Sequence, residues 1–153
     1  MLTIEQQEQY QRDGYIILPG FKGADDIAAL RARAEQIVNE FDPSVSQSIF
    51  TTRDQAKNTN DYFLASDNTI RCFFEEEAFD TDGQLKQAKS LSINKIGHAM
   101  HDLDPVFRAF SADPKLAEVA RDLGLADAQV WQSMYIFKQP GIGGEVRWHQ
   151  DAT

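Results

Sequence analysis

The chain has 153 residues, 42% of them hydrophobic, which is enough for one domain with a true apolar core. Its 24 acidic side chains outnumber 15 basic ones for a net charge of -9, arguing against nucleic-acid binding and against a polybasic membrane surface. A single cysteine, Cys72, excludes an intrachain disulfide framework, and with no signal-peptide pattern at Met1–Gln6 and no apolar run of bilayer length the expectation is a soluble cytoplasmic protein.

Thr3 and Gln6 are spaced as a capping box and predict a short first helix, ended at Asp13-Gly14. Tyr15-Ile16-Ile17-Leu18 reads as a strand stopped by Pro19-Gly20. Asp25 or Asp26 opens a second helix, whose stripe is Ile27, Leu30, Ala34, Ile37 and Phe41, with Pro43 beyond its end. Residues 44–69 are polar and aperiodic, and predict a long surface loop with a short strand near Ile49-Phe50. Ile70-Arg71-Cys72-Phe73-Phe74 reads as a strand, and the run Glu75 to Glu77 as a solvated face. Cys72, in that strand, has the setting of a buried, inert thiol.

Leu91, Ile93, Ile96 and Met100 are spaced for a third helix from Leu85 to about Leu103. On such a helix His98 and His101 share a face, but only Asp102 or Asp104 could join them as ligands, and a structural role fits both better. Asp113-Pro114 opens a fourth helix with Leu116, Val119, Ala120 and Leu123 as its stripe and Gly124 at its end. Gln129 to Gln139 is the clearest strand: Val130, Met134 and Ile136 share one face, and Trp131, Tyr135 and Phe137 the other, so cover on both sides is expected. Pro140 to Gly144 forms a turn or loop into a further strand, Glu145 to His149. Gly143-Gly144 lacks the lysine and hydroxyl of a phosphate cradle.

The chemistry gathers at the end of that last strand. His149 and Asp151 are two residues apart, so on extended backbone both point the same way. An imidazole and a carboxylate side by side are two of the three groups in the facial triad that holds non-haem Fe(II). The pair alone fits an incidental structural pairing as well as it fits a metal site.

Several runs go further. They are Asp13-Gly14-Tyr15; Ser92-Ile93-Asn94-Lys95-Ile96-Gly97-His98-Ala99-Met100-His101; Gln132 through Pro140; and Gly143-Gly144-Glu145-Val146 with Trp148-His149-Gln150-Asp151-Ala152. In these the chain resembles the phytanoyl-CoA dioxygenase family, most closely its domain-containing branch. The resemblance implies an α+β fold in which N-terminal helices pack on an incomplete double-stranded β-helix, a cupin-like jelly roll. It implies an Fe(II)/2-oxoglutarate-dependent dioxygenase that hydroxylates a small-molecule substrate with O2 and releases succinate and CO2. His149 and Asp151 are then the iron ligands, and Lys95, Met134, His149, Gln150 and Asp151 the residues around iron and 2-oxoglutarate. An ammonium at position 95 suits a carboxylate of the co-substrate. Met134 suits its carbon chain. Asp151 favours hydroxylation, since related halogenases leave that place free for chloride.

The resemblance covers nearly all of this chain but only about the N-terminal half of a typical family member. The expectation is therefore that residues 1–153 are the N-terminal part of a single domain, with the distal histidine and the arginine that anchors 2-oxoglutarate in a missing C-terminal half, and that the 153 residues alone are inactive. The alternative is a non-catalytic truncated relative that serves as a binding or interaction module, adding its open sheet edge to a partner. A complete small cupin-like domain is excluded by too few strands. Substrate and oligomeric state are not legible.

Overall fold

The computed structural model describes residues 1–50 and 61–146. Within them lies a mixed architecture of short helices and one small antiparallel sheet. Helix α1 spans Ile4–Asp13; Thr3 accepts from Gln6 N, and the Gln6 side chain accepts from Thr3 N, so the expected capping box is formed. Gly14, at φ 78, ends the helix in the left-handed conformation. Tyr15–Leu18 is not a strand: it runs without ladder partners, and Tyr15 and Ile17 are exposed. Four apolar residues in a row do not make a strand without a neighbouring edge.

Helix α2 spans Ala24–Glu40, with Asp26 accepting from Gly23 N at its start. It buries Leu30, Ala34 and Val38, while Ile27 remains exposed, so the buried stripe is rotated from the expected one toward Val38. Ile49 makes a parallel bridge with Phe74, and Phe50 N donates to Phe74 O at 2.9 Å, which draws the first part of the polar stretch alongside the sheet. A one-turn helix, α3 (Asp61–Leu64), follows the undescribed stretch 51–60.

The sheet has three strands in the order β1 (Ile70–Phe74), β2 (Ile93–His98), β3 (Ser133–Ile136), antiparallel throughout. Strand β1 has the expected bounds. The helix expected over Leu85–Leu103 is replaced by a 3-10 turn at Lys89–Leu91, strand β2, and a one-turn helix α4 (Met100–Leu103). All six residues of β2 are buried. A strand covered on both faces needs no alternation, and its apolar residues here happen to recur at helical spacing. The row Cys72, Ile96, Tyr135 belongs to the face that packs with Leu30, Ala34, Val38, Met100 and Phe107 in the main core. The opposite face carries Phe73, Lys95 and Ile136 in one row and Gly97 with Met134 in the next.

Helix α5 (Pro105–Ser111) starts at Asp104, and helix α6 (Pro114–Asp122) at Asp113, each with proline in its first turn. Gly124, at φ 86, follows α6 as expected, but the α6 stripe is only partly buried. Asp113 also accepts from Lys22 Nζ at 2.6 Å, and Asp122 accepts from the N-terminal amine and Leu2 N, both at 2.6 Å, so α6 carries ties to both flanks of α1. Strand β3 is shorter than the expected Gln129–Gln139, and Val130, Met134 and Ile136 are exposed rather than covered among the described residues. Glu145 and Val146 form no strand; the remainder of that expected strand lies outside the described residues. No described helix is long and apolar enough to cross a membrane.

Candidate functional site

Lys95 is on the middle strand, not on a solvated helix, and is 3% exposed. Three elements surround its ammonium. Phe73 comes from the adjacent strand β1, Phe63 from α3, and Phe50 from the segment bridged to β1. Nζ lies 3.4 Å from the Phe50 ring centroid, 5.1 Å from Phe63 and 5.5 Å from Phe73. It also lies 3.6 Å from Met134 Sδ, so Lys95 and Met134 meet on one face of the sheet. No carboxylate pairs with Lys95 among the described residues.

Aromatic faces attract a cation, by up to about 2 kcal/mol when water is excluded, but they replace hydration poorly. Burial wins: it lowers the Lys95 pKa to about 8. The folded state therefore releases this proton before the unfolded state does. The cost of the buried charge is carried in full below about pH 8, and stability should rise with pH from there toward 10.5, by up to about 3 kcal/mol. Denaturant melts of the full-length protein and of Lys95→Met across this window will test it; a difference between the two that is flat with pH would contradict it.

His98 closes the same neighbourhood. Its ring packs 5.4 Å from Phe63 and 5.6 Å from Phe73 between centroids. Ser66 Oγ donates to Phe63 O at 2.5 Å, so the contact of 2.7 Å between Ser66 Oγ and His98 Nδ1 is made by a proton on the imidazole. Burial, then the nearby Lys95 charge, lowers the His98 pKa to about 4, which keeps the ring neutral at physiological pH. His101 is held separately by the Ser133 hydroxyl, 3.0 Å from both its backbone N and its Nδ1. The two imidazoles thus have different serine partners, while Ser133 Oγ also donates to His98 O at 3.3 Å, and Asp104 caps α5 rather than joining the histidines. Cys72 is buried, and burial pushes its thiol up to about 12, so it is inert as expected.

His149, Gln150 and Asp151 lie outside the described residues, and so does the metal pair the sequence points to. The described residues hold no group of three or more His, Cys, Asp or Glu side chains suited to a metal. The approach to the pair is well defined as far as Val146. Gln139 is buried, and its Nε2 donates to Ser90 O and Ile93 O, both at 3.0 Å. Gly143 N donates back to Gln139 O at 3.0 Å. A Cβ on Gly143 would stand 2.6 Å from that same oxygen, so the turn admits only glycine there. Gly144 N then donates to Glu75 Oε2 at 3.1 Å. Glu75 is buried, which corrects its expected place on a solvated face; Glu76 and Glu77 are exposed.

The aromatic enclosure of Lys95 was not legible in advance. Phe50 and Phe63 sit in an aperiodic polar stretch, and their only local signal is that they are aromatic residues among polar ones. No local pattern marks position 95 in the sequence; only the family resemblance does.

A family model described as phytanoyl-CoA dioxygenase (PhyH) matches residues 10–153. A phytanoyl-CoA dioxygenase of Arabidopsis thaliana is 50% identical over 150 residues, covering 98% of this chain and 53% of that protein. Phytanoyl-CoA dioxygenase 1 of Oryza sativa subsp. japonica is 48% identical over 152 residues, covering 99% and 53%. Phytanoyl-CoA dioxygenase domain-containing protein 1 of Bos taurus is 45% identical over 157 residues, covering 99% and 54%. The chain spans about half the length of the curated relatives it matches.

Proposed function

The chain belongs to the phytanoyl-CoA dioxygenase family, and from that membership we propose that it forms the N-terminal part of one jelly-roll domain in an Fe(II)/2-oxoglutarate-dependent oxygenase. The observation that carries this reading is Lys95: a buried ammonium, with no carboxylate partner among the described residues, beside a methionine on the face of a sheet. Burying a cation without a counter-ion is costly, and a dianionic ligand supplies what is missing.

In this reading the Lys95 ammonium pairs with a carboxylate of 2-oxoglutarate, which returns its proton affinity toward the ordinary range. Met134 packs against the carbon chain, and Phe50, Phe63 and Phe73 keep water from the ion pair. His149 and Asp151 offer one imidazole nitrogen and one hard carboxylate oxygen, a donor set suited to Fe(II), with a further histidine required from elsewhere. Gln150 borders the co-substrate. Fe(II), when bound, supplies the activation of O2 that is coupled to breakdown of 2-oxoglutarate. The carboxylate at 151 favours hydroxylation as the outcome. A small-molecule substrate follows from the type of enzyme, and the net charge of -9 speaks against a nucleic-acid one. The lone inert thiol suits a cytoplasmic setting.

Binding of 2-oxoglutarate to the full-length protein, measured without oxygen and with or without Fe(II), tests the reading directly. Binding should depend on Fe(II) and vanish in Asp151→Ala, and succinate should appear once O2 and ascorbate are added. A full-length protein that binds neither Fe(II) nor 2-oxoglutarate would sink it.

A further inference from the structure

Glu75 is the first residue after β1 and is 1% exposed. Its Oε2 accepts from Asn94 Nδ2 at 2.9 Å and from Gly144 N at 3.1 Å, while its Oε1 has no hydrogen-bond partner among the described residues. Its backbone is fixed as well, with Glu75 N donating to Ser92 O at 2.9 Å. Packing does not call for a carboxylate here. An unpartnered buried polar atom costs about 1–3 kcal/mol, and Gln139 already anchors the near end of the glycine loop.

What Glu75 joins is informative. Asn94 directly precedes Lys95 on β2. Gly144 directly follows Gly143 and precedes His149 by only five positions. Two consecutive glycines make the freest backbone in the chain, and five extended residues can reach about 17 Å, so an untethered Gly144 would leave the direction of the following residues open. One carboxylate oxygen tethers the Gly144 amide, and does so against the strand that carries Lys95.

We propose that Glu75 is a positioning residue for iron binding: it clamps Gly144, five residues before His149 in sequence, to Asn94, the neighbour of Lys95 on β2. This rests on the reading that His149 and Asp151 bind iron. Glu75 touches neither metal nor co-substrate; it acts by preorganising what does.

The test uses the full-length protein under anaerobic conditions with 2-oxoglutarate present. Fe(II) binding is followed by equilibrium dialysis and exchange of the Gly144 amide by hydrogen exchange. Glu75→Ala should raise the Fe(II) Kd by about 10–100-fold and speed exchange at Gly144. Glu75→Gln keeps an oxygen that can accept from both donors, and should stay within about threefold of the parent. Gly144→Pro removes the donated N–H and leaves the buried carboxylate alone, so it decides the matter if Glu75→Ala fails to fold; its Fe(II) Kd should rise as much. Fe(II) affinity within about threefold of the parent in both Glu75→Ala and Gly144→Pro overturns the proposal, as does Glu75→Gln as weak as Glu75→Ala. A parent protein that takes up no Fe(II) overturns the iron reading itself and the positioning role with it, a result separable from the others by the parent alone.

Discussion

On the proposed function, Lys95→Met should weaken 2-oxoglutarate binding by about 100-fold, because it would remove one side of the proposed desolvated charge pair, an effect of about 3 kcal/mol. Methionine keeps an unbranched chain of similar length between Phe50, Phe63 and Phe73, so the pocket stays filled while the charge is lost. Stability should move the other way. The buried ammonium holds its pKa down at about 8, and its removal relieves that cost at neutral pH. A gain in stability with a loss of ligand is the signature of a side chain retained for function. Affinity should also carry the lysine's titration: flat below about pH 8, then weakening toward tenfold per pH unit as Lys95 loses its proton, with no such slope in Lys95→Met. Calorimetric titration of 2-oxoglutarate into the full-length protein with Fe(II) measures both. Equal affinity in the two proteins would remove Lys95 from the site.

Asp104→Ala should cost about 3 kcal/mol of stability. Asp104 is 1% exposed and has two duties. Its Oδ1 accepts from Val106 N at 3.0 Å and Phe107 N at 3.2 Å, capping α5; its Oδ2 accepts from Arg33 Nε at 2.5 Å, tying α5 to α2. Loss of a cap costs about 1 kcal/mol. Leaving a partly buried guanidinium without its partner adds the rest, and the sum stays at the lower end because Arg33 keeps a quarter of its side chain in water. Asp104→Asn retains a capping oxygen and should cost less than half as much. Urea melts of the full-length protein will compare the three; a loss below about 1 kcal/mol in Asp104→Ala would mean that Arg33 finds another partner. By sequence Asp104 is a conceivable ligand beside His98 and His101. Its engagement with two backbone donors and an arginine gives it a structural task.

Local chemistry was enough wherever a signal is carried by a few adjacent residues. The capping box of Thr3 and Gln6, the Asp113-Pro114 start of α6, the glycines that follow α1 and α6, and strand Ile70–Phe74 all have the expected places. Each depends on hydrogen bonds or dihedral angles within one turn of chain, or on a short run of strand-forming side chains. The family, too, was legible from runs of sequence, and the match over residues 10–153 agrees with it.

The sheet was not legible in the same way, because strand pairing is non-local. Leu91, Ile93, Ile96 and Met100 satisfy a helical period, yet residues 93–98 are drawn into the sheet between β1 and β3, where every side chain is covered. Tyr15–Leu18 has the composition of a strand but pairs with no edge among the described residues. Burial of Glu75 depends on Asn94 and Gly144, which lie 19 and 69 residues away along the chain. The same holds at the candidate site. His149 and Asp151 are a pair by spacing alone, whereas the meeting of Lys95 with Met134, Phe50, Phe63 and Phe73 comes only from bringing five separate segments together at one sheet face. Sequence spacing thus singles out an imidazole and a carboxylate two residues apart, and no more. Tertiary structure decided that Lys95 is buried with no carboxylate partner among the described residues, since desolvation is a property of a residue's surroundings and not of its neighbours in sequence.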